Sequence, residues 1–325
     1  MSNGNGHGND PISVIDVHSA THAPALPAQP RRPRKRGSRV IPITLFALTV
    51  LSTMLIGAHY ALAYDAGHAP FSPDDDFFPP VFSEPTLLLT GLPFSFTLMG
   101  ILLAHELGHY FACRYYRISA TVPYFIPFPS IIGTLGAFIR IRSPIVNRKA
   151  LFDVGLSGPV IGFLFALPAL AIALLYSKVA PGAQAESLLA FGDPPLFRAL
   201  AALLRPDVPV EDLLLHPVGR AAWVGLFATA LNLLPAGQLD GGHIVYALSS
   251  RWHRRISFGV ALLIAPLGFF WEGWWLWAVL LLLFGFRHPV LLDPYDRLDL
   301  PRRAWALIAL IIFLLCFTPA PLVRQ

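Results

Sequence analysis

Residues 102–111, LLAHELGHYF, set His105, Glu106 and His109 in a stretch that is otherwise apolar. On an α-helix, positions i and i+4 share a face, so His105 and His109 can reach one metal ion. Neutral imidazole is a good zinc ligand, and a catalytic zinc takes three protein ligands and keeps a fourth position open. Glu106, beside the first histidine, can reach the attacking water and serve as general base. The chain has 11 His and five Glu, so a His-Glu-x-x-His match is expected only ~0.006 times by composition. Ionisable groups at membrane depth are costly and usually functional, which weighs further against a chance polar patch at a helix end.

Such a site needs a third ligand. No histidine follows at the metzincin spacing, which excludes that class. The glutamates after residue 109 are Glu186, Glu211 and Glu272, and the charge pattern below puts all three on the far side of the membrane. The carboxylate on the right side is Asp240, in LFATALNLLPAGQLDGGHIVYAL. Pro235, Gly237, Gly241 and Gly242 break the helix there, and irregular backbone at membrane depth is tolerated where it lines a cavity or is packed in protein. Asp240 either projects from this unwound segment toward the histidines or caps a simple turn at the end of a span.

The elements that must position these residues are apolar. The chain of 325 residues is 55% hydrophobic and 13% charged, with mean hydropathy +0.58; soluble domains carry about 25% charged residues. Seven apolar runs stand out, at 40–64, 87–112, 151–176, 218–236, 256–271, 272–286 and 304–320. The first three are long enough to span a bilayer; the fifth and sixth meet at WEGWW, read as an interface anchor, so the count is six or seven spans. Residues 1–38 are rich in Gly, Asn, Pro and Arg and read as a disordered tail ending in Arg31, Arg32, Arg34, Lys35, Arg36 and Arg39. With that arm in the cytosol and seven spans, nineteen of the 24 Lys and Arg fall on the cytosolic side, and Asp74, Asp75 and Asp76 outside. The net charge of +5 flanks apolar runs and gives no case for nucleic acid. Cys113 and Cys316 support neither a disulfide framework nor a thiolate metal site.

Between the second and third runs, residues 118–149 are β-branched, aromatic and punctuated by Pro and Gly, and GAFIRIRS alternates with period two, so 121–142 reads as short strands or a plain linker. PLFRALAALLR, in the loop 177–217, reads as an interfacial amphipathic helix. His243 reads either as a neighbour of the site or as a helix-start histidine with no metal role. Gly158 and Gly162 have the spacing of helix packing, and Asp153 reads as a cap of the third span.

HELGH in one apolar span and NLLPAGQLDGG in a later one resemble the site-2 protease family of intramembrane zinc metalloproteases, over about residues 87–250. The family's second motif, Asn-x-x-Pro-x-x-x-Leu-Asp-Gly, falls on Asn232, Pro235, Leu239, Asp240 and Gly241 without departure, and the chain is similar to the bacterial and chloroplast branch. The resemblance implies one zinc on His105, His109 and Asp240, Glu106 as base, and Asn232 holding the substrate carbonyl or oxyanion; Asn232 could instead bond another helix. It also implies that the β-like segment, with Gly136, Ala137, Phe138 and Ile139, pairs with an unwound transmembrane substrate. The expected fold is an all-α polytopic membrane protein of six or seven transmembrane helices with a short β-like membrane-associated segment. Its parts are a basic cytosolic tail (1–38), an anchor and external loop (39–86), a catalytic core (87–250) and C-terminal helices (251–325). The expected setting is a bacterial plasma membrane, with lipid and transmembrane-protein partners and the site near the cytosolic face. The rivals are a CAAX-type zinc endoprotease with Glu272 as third ligand, a non-catalytic membrane scaffold, which the intact Glu106 speaks against, and a metal transporter, which lacks further intramembrane carboxylates.

Overall fold

The computed structural model describes Met1 and residues 40–73, 80, 81, 83–182, 187–284, 291, 293 and 296–324. The tail 1–38 beyond Met1, its basic arm, Asp74–Asp76, Glu186 and Arg287 lie outside the described residues.

Helix α1, Val40–Ala66, carries one charge in 27 residues, and its ~40 Å length follows from 1.5 Å per residue. A 3-10 turn, Pro85–Gly91, leads into α2, Leu92–Tyr115, with Pro93 in the first turn, where its missing amide costs nothing. Asn147 caps α3, Arg148–Tyr176, by accepting the Ala150 amide at 2.9 Å. These three, with the 3-10 turn counted into the second, are the described helices long and apolar enough to cross a membrane. The later apolar runs fold as shorter helices: α5, Pro217–Leu233; α7, Ser250–Ile264; α8, Gly273–Phe284; and α9, Leu300–Cys316. Two more described helices are α4 at Pro195–Leu204, as the amphipathic pattern predicts, and α6 at Asp240–Leu248.

The period-two stretch is a hairpin. β1, Tyr124–Pro127, pairs antiparallel with β2, Thr134–Phe138, in the register Tyr124↔Phe138 and Phe125↔Ala137. Its tip lies on α1, where the Ser52 hydroxyl donates to the Gly133 carbonyl at 2.6 Å and the Tyr60 hydroxyl to the Ile131 carbonyl at 2.7 Å. The two turn carbonyls are thus satisfied by side chains two helical turns apart. Two small antiparallel pairs lie elsewhere: β3 (Lys178–Val179) with β5 (Leu213–Leu214), and β4 (Leu189–Phe191) with β6 (Leu322–Arg324).

Two sequence expectations need correction. Asp153 does not cap α3, because Asn147 does. Instead Asp153 takes Nε and Nη2 of Arg302 at 2.9 and 2.6 Å and the Tyr116 hydroxyl, tying the start of α9 to the start of α3 and the end of α2. Burial and then that carboxylate push the Tyr116 phenol up to about 12. Nor is WEGWW simply an interface anchor: Trp274 is fully buried and donates Nε1–H to the Pro319 carbonyl at 2.6 Å, while Trp275 stays exposed.

Candidate metal centre and catalytic cleft

His105, Glu106 and His109 sit on the last turns of α2, all buried. The i, i+4 spacing brings the two imidazoles together, with their Nε2 atoms 3.1 Å apart. Asp240 opens α6 and turns Oδ2 to within 3.3 Å of both Nε2 atoms. It is thus a first-turn helical residue, and the unwound stretch expected around it is confined to 234–239. Gly241 and Gly242 do not break the helix; they let it fold back on that loop, since a Cβ on Gly242 would lie 2.4 Å from the Gly237 carbonyl oxygen.

Helix α3 seats the site from behind. A carbonyl can only accept, so the 2.7 Å contact from His109 Nδ1 to the Val154 carbonyl fixes the proton on Nδ1. In the neutral ring, Nε2 then offers its lone pair to the same space as His105 Nε2 and Asp240 Oδ2. The three ligand atoms, two on buried histidines and one on the half-buried Asp240, lie within 4.8 Å of one another, an arrangement that a shared cation satisfies. The two-nitrogen, one-oxygen set fits zinc. Gly158 and Gly162 do more than pack helices: a Cβ on Gly158 would fall 2.1 Å from His109 Nε2, and one on Gly162 3.2 Å from His105 Cβ. The rings lie directly against α3 backbone.

Glu106 faces a hollow of about 150 Å³ bounded by α2, β2, α5 and α8. Its walls include His105, Gly136, Ala137, Asn232 and Trp277. Asn232 Nδ2 lies 3.4 Å from His105 Nε2, so its amide borders the candidate metal position. Among the four residues expected to meet substrate, Gly136 and Ala137 line the hollow, and Ile139 follows the end of β2. Phe138 turns away, half exposed and stacked on Tyr124 at 5.5 Å. One edge of β2 pairs with β1, and its sheet has no third strand among the described residues.

Among the described residues, His105, His109 and Asp240 form the cluster able to hold a metal, and Glu272 is not in it. Glu272 lines a separate hollow with Gly268, Trp271 and Val323. His243 packs its Cβ against Gly155 of α3 and is outside the cluster. Cys113 and Cys316 are buried and unpaired with each other. Sequence reasoning did not single out Trp277 or Val154; neither a tryptophan in a greasy helix nor a backbone carbonyl has a local signature.

A family profile described as peptidase family M50 matches residues 93–270, which contain both motifs. The chain is 30% identical over 234 residues to "Probable zinc metalloprotease EGY1, chloroplastic" of Arabidopsis thaliana, covering 68% of this chain and 42% of the relative. It is 32% identical over 227 residues to "Probable zinc metalloprotease EGY2, chloroplastic" of Oryza sativa subsp. indica, covering 64% and 38%. The chain thus spans about two fifths of the length of the curated relatives it matches. No solved structure matches it at a significant level.

Proposed function

The chain belongs to peptidase family M50, and from that premise we propose that this integral membrane protein is a zinc metalloendopeptidase. Its reaction is hydrolysis of peptide bonds in or beside transmembrane segments of other membrane proteins, as in regulated intramembrane proteolysis. The observation that carries the reading is the convergence of His105 Nε2, His109 Nε2 and Asp240 Oδ2 beside the Glu106 carboxylate. The rival with Glu272 as third ligand loses its ground, because Glu272 lines another hollow.

His105, His109 and Asp240 would hold one zinc, and zinc there would supply Lewis acidity toward a carbonyl oxygen and toward water. Val154 keeps His109 in the tautomer that leaves Nε2 free to bind. Glu106 takes a proton from the attacking water and delivers it to the amide nitrogen that leaves. Asn232, a neutral amide with a donor at the rim, stabilises the oxygen on which charge develops. A substrate segment laid along β2 past Gly136 and Ala137 exchanges helical hydrogen bonds for strand bonds while its carbonyl enters the hollow.

The orientation with a cytosolic N-terminus rests on the distribution of Lys and Arg, and places the site near the cytosolic face. Seven spans fit if α5 and α9, each 17 residues and at the lower limit for crossing, span, and α7 with α8 make a hairpin, which keeps the start of α9 on the side where Arg302 meets Asp153. The test of function is Glu106→Gln in liposomes with a model transmembrane substrate. The variant should keep about one zinc per chain and lose cleavage; cleavage at the wild-type rate would remove Glu106 from the reaction.

A further inference from the structure

The loop 234–239 delivers Asp240 to the histidines, and its Leu234, Ala236 and Gly237 are buried. Gly237 is its pivot, with φ +61, a left-handed conformation that favours glycine. Both polar groups of Gly237 are taken by α7. The Ser257 hydroxyl oxygen accepts the Gly237 amide at 3.1 Å, and His253 Nε2–H donates to the Gly237 carbonyl at 3.0 Å. The two side chains are i, i+4 on one face of α7, and they are 1% and 2% exposed, so water does not compete for these bonds. The same Gly237 carbonyl lies where a Cβ on Gly242 would be, so it is also packed against the first turn of α6. A chain of direct contacts therefore runs from α7 through one glycine to the helix turn that aims Asp240.

We infer that His253 and Ser257 are positioning residues for the metal centre: they clamp Gly237 and thereby hold the Asp240 carboxylate at the distance from the two histidines that zinc requires. The inference rests on Asp240 being a zinc ligand. Neither residue touches the reacting atoms. Partners that orient a ligand are worth about 10- to 100-fold in metal affinity, because a bound geometry tolerates only about 0.5 Å of slack. The donor also dictates the choice of residue at 253: Gln places an amide N–H near where His places Nε2–H, whereas Ala and Leu place none.

The experiment measures zinc affinity by chelator competition on the purified full chain in detergent, with the melting temperature of the metal-free protein and the visible spectrum of the cobalt-substituted protein recorded alongside. The variants are His253→Ala, His253→Gln, Ser257→Ala and Asp240→Ala. The expected result is a loss of about 10- to 100-fold in affinity for His253→Ala and Ser257→Ala, an altered cobalt spectrum, and recovery to within about threefold in His253→Gln. If His253→Ala does not fold, Ser257→Ala and His253→Gln still decide. Wild-type affinity in Ser257→Ala together with a merely lowered melting temperature would overturn the clamp, as would a His253→Gln as weak as His253→Ala. Should Asp240→Ala itself keep wild-type affinity, it is the ligand assignment that fails; should Asp240→Ala fail to bind while the α7 variants bind normally, the clamp alone fails.

Discussion

Replacing Gly158 with alanine adds one methyl group where the His109 ring lies. The ideal Cβ falls 2.1 Å from Nε2, 2.4 Å from Cε1 and 2.6 Å from Cδ2, against a comfortable separation of about 3.5–4.0 Å. The ring must therefore retreat by more than about 1 Å, or α2 and α3 must part. The 2.7 Å bond from Nδ1 to the Val154 carbonyl does not survive a shift of that size. Losing an orienting partner alone costs about 10- to 100-fold in metal affinity, and here Nε2 itself is displaced as well. Zinc affinity should fall by at least ~100-fold, which is ~2.7 kcal/mol. Gly162→Ala is the internal control: its Cβ would lie 3.2 Å from His105 Cβ and Nδ1, so the neighbour gives by a few tenths of an ångström, and the loss should stay below about tenfold, less than the loss of an orienting partner. Chelator competition on both metal-free variants, with circular dichroism to confirm helix content, measures the two numbers. A Gly158→Ala protein that binds zinc like wild type, or a Gly162→Ala protein that is worse, would refute the claim that α3 backbone seats the rings.

Ile139→Pro removes a backbone amide just past the end of β2 and stiffens the strand end, so it should keep zinc but slow cleavage of an intact transmembrane substrate more than of a short substrate already unwound; equal rates on the intact substrate with and without proline would reduce 121–142 to a linker. Cysteines placed at the exposed Arg254 and Asp207 should react with an impermeant thiol reagent from opposite sides, Arg254→Cys only when the cytosolic face is open; the native cysteines are buried and stay silent. The reverse labelling would move the site to the other face.

Much of the site was legible because its residues are chemically loud. Two histidines and a glutamate in an apolar run have little to do there except hold a metal and work beside it, and the 3.6-residue period by itself brings His105 and His109 to one point. Asp240 was legible through exclusion by charge topology, though its place at the start of a helix was not, because Gly241 and Gly242 read as breakers until the chain is seen folding back on Gly237. The hairpin showed in its alternation and its turn residues. What stayed hidden depends on tertiary approach. Gly158 and Gly162 have the spacing of ordinary helix packing, and nothing local says that imidazoles lie on them. His253 and Ser257 bond a backbone peptide, which leaves no trace in residue types. Asp153 sits in the first turns of a helix, where a cap is the local expectation, and its Arg302 partner is 149 positions away. The burial of Trp274 has no local signature, because tryptophans between two apolar runs suit an interface as well as a core.

The proposed reaction requires three side chains to share one metal. Zinc per chain, determined by elemental analysis on purified wild-type, Asp240→Ala and Glu272→Ala proteins prepared identically, tests it most directly. The expected result is about one zinc in wild type and in Glu272→Ala, and a sharp loss in Asp240→Ala, as removal of one of three protein ligands requires. Full zinc in Asp240→Ala with loss in Glu272→Ala would contradict it.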